Sequence, residues 1–65
     1  MNNLQRLVID VLDRHRFSEK QLGHLIGVSQ PTVHRYKTGK SEQVNMTVLE
    51  KLTILAKSSP TPPNN

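Results

Sequence analysis

The side chains best able to do chemistry in this chain are cations, and they are unevenly placed. Residues 14–40 hold Arg14, Arg16, Lys20, Arg35, Lys37 and Lys40 against the single acid Glu19. Elsewhere Arg6, Lys51 and Lys57 face Asp10, Asp13, Glu42 and Glu50, and the whole chain carries a formal charge of +4. A basic middle in a near-neutral frame suits a polyanionic partner, because clustered Lys and Arg attract and neutralise one. A merely solvated surface has the same composition, and charge by itself does not choose between the two.

Other chemistries find less support. His15, His24 and His34 lack the i, i+4 spacing by which a helix offers two imidazoles to a metal, and the chain has no Cys. Neither a metal site nor a disulfide is expected. Their spacing suggests boundary packing for His15, a solvent-facing His24 and an outward His34. Asp10 and Asp13 share a helix flank, but Arg6 and Arg14 stand one turn from Asp10 and offer ion pairs instead. Gly39-Lys40-Ser41 has the end of a phosphate-binding loop, yet position 34 is His where the first Gly belongs and no strand precedes it. Asn45-Met46-Thr47 is a glycosylation acceptor only in a secreted protein. A domain this small has little room for a catalytic cleft, so no enzyme and no cofactor is expected.

The elements that must position these groups come from 65 residues, 34% of them hydrophobic, with Phe17 and Tyr36 the only aromatics. That is one domain at most, with a modest core of Leu, Ile and Val. Apolar runs are far too short to span a membrane. Arg6, Asp10 and Asp13 fall where a secretory signal needs an apolar stretch, so a cytoplasmic protein is expected.

Leu4, Leu7, Val8, Val11, Leu12 and His15 form one stripe of a helix over about residues 3–14, capped by Asn2 or Asn3, with Ile9 off the stripe. Ser18 and Gln21 read as a capping box, and Phe17 with Leu22 as a hydrophobic staple, opening a second helix whose buried side is Leu22, Leu25 and Ile26. Gly27 ends it. Ser29 caps a third helix of about eight residues, with Pro31 in its first turn, Val33 and Tyr36 inside and Gly39 as its stop. A turn of about three residues between the two is consistent with a helix-turn-helix. Asn45 caps a fourth helix, with Val44 and Leu49 as a second staple and Thr47–Glu50 as a later alternative start. Val48, Leu49, Leu52, Leu55 and Ala56 line its inner face. Residues 58–65, SSPTPPNN, read as a disordered tail. The expectation is an all-α, four-helix domain over residues 1–57.

The run EKQLGHLIGVSQPTVHRYKTGK, residues 19–40, resembles the DNA-binding helix-turn-helix of the Cro and phage-repressor family. Leu22 and Ile26 lie on the first helix of that motif, Gly23 at the crossing, Gly27 and Val28 in the turn, and Val33 and Tyr36 on the second helix. Thr38-Gly39-Lys40 is similar to the family's exit from its recognition helix. At the crossing, Ala is expected to be tolerated at position 23 and Leu to disrupt packing. Glu19 departs from the pattern, since many relatives have Gln there to reach a phosphate. Pro31 departs too, at a position that is often polar. After the fourth helix, the extra helix or strand with which some relatives dimerise is not expected.

The resemblance implies a major-groove reader whose recognition helix covers about residues 30–37. With Val33 and Tyr36 inward and about 100° per residue, Gln30, Pro31, His34 and Arg35 lie nearest the bases, with Thr32 more to the side. Arg35 suits guanine O6 and N7, Gln30 suits adenine N6 and N7, and Pro31 or Thr32 offers carbon to a thymine methyl. Lys20, Gln21, Lys37, Thr38 and Lys40 fall along the phosphates, which set register rather than sequence. The implied partner is a palindromic duplex operator, bound by a homodimer formed in solution or only on DNA, with Met46 and Ile54, and also Ile9, as contact residues. The implied role is a Cro-type transcriptional repressor, in a bacterial cell or a phage-infected host. Two other roles fit the same helices: a protein-interaction module such as an antirepressor or antitoxin that uses the motif as scaffold, and a recombination or architectural factor.

Overall fold

Local side-chain chemistry punctuates the backbone at every helix start. A computed structural model describes residues 2–59, which form α1 (Asn3–His15), α2 (Glu19–Ile26), α3 (Gln30–Thr38) and α4 (Met46–Lys57), with no strand among the described residues. Asn2 Oδ1 accepts from the Gln5 amide at 2.7 Å, which decides the first cap in favour of Asn2. Ser18 and Gln21 form a reciprocal capping box, each side chain satisfying the other's backbone N–H. Ser29 caps α3, with Pro31 in its first turn. Asn45 Oδ1 accepts from the Val48 amide at 2.8 Å, so α4 starts at the earlier of the two sites. Each such bond satisfies an amide the helix itself leaves open, and is worth about 1 kcal/mol.

Two of the four helix ends fall at glycines, and α4 ends at Ser58 in an extended conformation. Gly27 (φ 82°) and Gly39 (φ 78°) terminate α2 and α3 in the left-handed region. Arg16 ends α1 in the same region at φ 56°, where a side chain costs of order 1 kcal/mol or more. Its backbone N–H bonds to the Leu12 carbonyl, and the turn it makes leaves only Phe17 and Ser18 between α1 and α2.

Leu4, Val8 and Val11 of α1, Leu22 and Ile26 of α2, Val33 and Tyr36 of α3, and Val48 and Leu52 of α4 form one core. Leu7, Leu12, Phe17, Val28, Val44, Leu55 and Ala56 close its rim. His15 is buried beside it: its Nε2–H donates to the Leu55 carbonyl at 2.8 Å, and its ring stacks on Phe17 with centroids 5.0 Å apart. The end of α1 is thereby tied to the end of α4. Ser58 belongs to that end rather than to a tail, since its N–H and Oγ–H donate to the Leu55 and Ile54 carbonyls. The expected disordered tail otherwise lies, from residue 60 on, outside the described residues.

Two expectations about α2 need correction. Leu25, expected inside, is 46% exposed. The buried residues of α2 are Leu22, Ile26 and Gly23, and at about 100° per residue these span one arc that leaves Leu25 beyond its far edge. The packed arc is rotated towards Gly23 because the turn into α3 folds back on that side. The second correction concerns Gly23 itself. A Cβ built there would stand 2.6 Å from the Val28 carbonyl oxygen and 3.3 Å from the Ser29 carbonyl carbon. The obstacle is turn backbone rather than a side chain able to move aside, so even Ala is crowded. Ile9, off the apolar stripe of α1, is half-buried.

Candidate nucleic-acid interface

Burying Val33 and Tyr36 turns the opposite side of α3 to solvent. Gln30, Pro31, His34 and Arg35 from that side, with Lys40 just past the helix and Glu19 from the first turn of α2, line one open concavity. The guanidinium of Arg35 takes part in no ion pair among the described residues; those present are Arg14–Asp10, His34–Glu19 and Lys37–Glu19. Arg35 and Lys40 are exposed, and both cations are available to an outside partner.

The remaining candidates are not all brought to this concavity. Thr32 is half-buried, and its Oγ1 stands 2.8 Å from Ser29 Oγ, within the α3 cap. Lys20 and Gln21 border a second, mainly apolar depression with Phe17, His24, Leu25, Val28 and Gln30, so Gln30 is shared between the two. Gln21 Oε1 is engaged by the Ser18 amide at 2.8 Å, leaving its NH2 for other contacts. Thr38 Oγ1–H donates back to the His34 carbonyl at 2.9 Å. Lys37 lies towards α1, beside Ile9, Leu12 and Asp13, and its Nζ is 3.5 Å from Glu19 Oε2. Met46 and Ile54 are 68% and 64% exposed on α4.

Reasoning from residue types left Glu19 out of the site, yet it touches two members of it. His34 Nδ1 is 3.0 Å from the same Oε2 that faces Lys37. The hydrogen bond from His34, with the charges of His34 and Lys37, outweighs desolvation and holds the Glu19 carboxyl below the usual carboxylate range. A carboxyl depressed in the folded state favours folding above its unfolded pKa, so this contribution is present at neutral pH and is lost in acid as pH falls through the folded value. The available signal was an acid opening the motif's first helix on an otherwise cationic stretch.

No cluster of three or more candidate metal ligands occurs among the described residues. No helix among them is long and apolar enough to cross a membrane. In comparison with known proteins, the family model described as a Cro/C1-type HTH DNA-binding domain matches residues 3–55. No curated protein and no solved structure matches the chain.

Proposed function

From the premise that the chain belongs to the Cro/C1-type helix-turn-helix DNA-binding domain family, we propose that it is a sequence-specific regulator whose α3 enters the major groove and whose bound form represses transcription. The observation that carries this reading is the outward side of α3, where Gln30, His34 and Arg35 converge on one concavity with Lys40 at its edge. A recognition helix presents its N-terminal half to base edges. Arg35 matches the two acceptors of guanine and Gln30 the acceptor and donor of adenine. Pro31 has no donor and offers carbon to a thymine methyl, with Thr32 to the side. Lys20, Gln21, Lys37, Thr38 and Lys40 are the proposed phosphate set, Lys37 only after leaving Glu19. Repression follows from occupying an operator that the polymerase also needs.

One such helix buries little surface, and a few phosphate contacts are weak at physiological salt. A symmetric dimer reading half-sites roughly 34 Å apart offsets this, and Met46 and Ile54 are the residues proposed to meet across it, in solution or only on DNA. Their exposure favours one other reading, an interaction module in which α4 is the working face. In that case Arg35→Ala leaves activity intact and polar changes at Ile54 abolish it.

Duplex binding across a salt series tests the proposal. Lys40→Ala is expected to weaken binding equally on all sequences and to make the log–log salt slope shallower by about one. An unchanged slope removes Lys40 from the phosphate set. Glu19→Gln is expected to raise affinity on every duplex and steepen the slope, because it removes a repelling charge and frees Lys37. Weaker binding by that variant contradicts the placement of Glu19 near phosphates.

A further inference from the structure

The carboxylate of Glu19 is held at the junction of α2 and α3, its side chain only 20% exposed, whereas the His34 side chain is 57% exposed. The 3.0 Å contact joins Oε2 to Nδ1, so the two ring nitrogens of His34 have different surroundings. An ionised carboxylate only accepts, so Nδ1 must carry a proton, and a neutral ring then has Nε2 as its acceptor. No bond to Nε2 occurs among the described residues, and the ring borders the concavity that Gln30, Arg35 and Lys40 also line. The charged groups around His34 are Glu19, whose carboxylate Lys37 also contacts, and Arg35 and Lys40, which line the same concavity.

We propose that Glu19 is a positioning residue that sets base preference: it fixes His34 with Nδ1–H on its carboxylate, so that Nε2 meets DNA as an acceptor when the ring is neutral and as a donor when it is charged. This inference rests on the DNA-binding role proposed above. In the neutral state Nε2 matches the exocyclic amino group of adenine or cytosine, and in the charged state it matches N7 or O6 of guanine. In both charge states Nδ1 keeps its proton and its bond to Glu19, so the ring does not turn, and only the polarity of the outward nitrogen reverses. One histidine then reads two different base edges according to pH.

Two measurements test this. Nitrogen chemical shifts of the His34 ring, taken on the free protein at about pH 8, are expected to show the Nδ1–H tautomer in the native chain and a loss of that bias in Glu19→Ala. A tautomer mixture unchanged by Glu19→Ala overturns the proposal and leaves the DNA-binding role untouched. The second measurement is competition among duplexes carrying each of the four base pairs at every position of a bound site, at about pH 8 and about pH 5.5. At one position the native chain is expected to shift preference from adenine or cytosine towards guanine on acidification, by about tenfold. Glu19→Ala is expected to flatten that shift, and in a His34→Ala background Glu19→Ala is expected to leave base preference unchanged. A native preference independent of pH overturns the proposal. If no duplex is bound preferentially at either pH, the DNA-reading role falls and this inference with it, whatever the tautomer.

Discussion

A leucine at position 23 is expected to abolish the cooperative unfolding transition at room temperature. A Cβ at this site already stands 2.6 Å from the Val28 carbonyl oxygen, so a longer side chain can be accommodated only by moving the turn that joins α2 to α3. Overpacking in well-filled sites costs about 1–3 kcal/mol even where side chains yield, and here the obstacle is backbone. Domains of this size have only a few kcal/mol of stability to lose. Gly23→Ala separates the steric effect from helix propensity, since Ala gains about 1 kcal/mol over Gly in a helix interior. The crowding is expected to exceed that gain, leaving the Ala variant folded but less stable by about 1 kcal/mol. Thermal or denaturant unfolding measures both. A Leu variant as stable as the native chain would mean that the turn does not lie against α2 at this residue.

Arg35→Ala carries the largest expected effect on binding. The guanidinium is exposed and outside the ion pairs of the described residues, so its removal should leave the fold and its stability nearly unchanged. On a preferred duplex the loss is expected to be about 1–3 kcal/mol, with relaxed preference at one base pair. Titration of the native and Ala proteins against duplexes varied one base pair at a time measures it. An equal loss on every duplex would make Arg35 a phosphate contact rather than a base reader, which is the behaviour proposed instead for Lys40. The two variants therefore distinguish sequence reading from charge attraction on one surface.

What could be read before the structure depended on how local the physics is. Ser18 with Gln21, Ser29 with Pro31, Gly27, Gly39 and Asn45 all act within one turn of their own backbone, and each marks the boundary expected of it. Arg16 gave no such signal, because its left-handed conformation is imposed by the route from α1 to α2 and not by its side chain. Leu25 was misplaced because apolar spacing gives a helix face only to within its neighbours, and the side on which the turn packs decides which edge is covered. At the candidate interface, the outward position of His34 and Arg35 followed from burying Val33 and Tyr36. The contact between Glu19 and His34 did not, since it joins residues 15 apart through the relative placement of two helices. The same placement gives Lys37 its carboxylate partner.

Selection of bound sites from a pool of random duplexes, at one stated salt concentration, bears most directly on whether α3 reads base edges. The account predicts recovery of a short motif, repeated as a palindrome with one helical turn between half-site centres, and its blurring at one base pair in each half when Arg35 is replaced by Ala. A recovered pool no different from the starting one, under conditions where the protein does bind duplex, would contradict it.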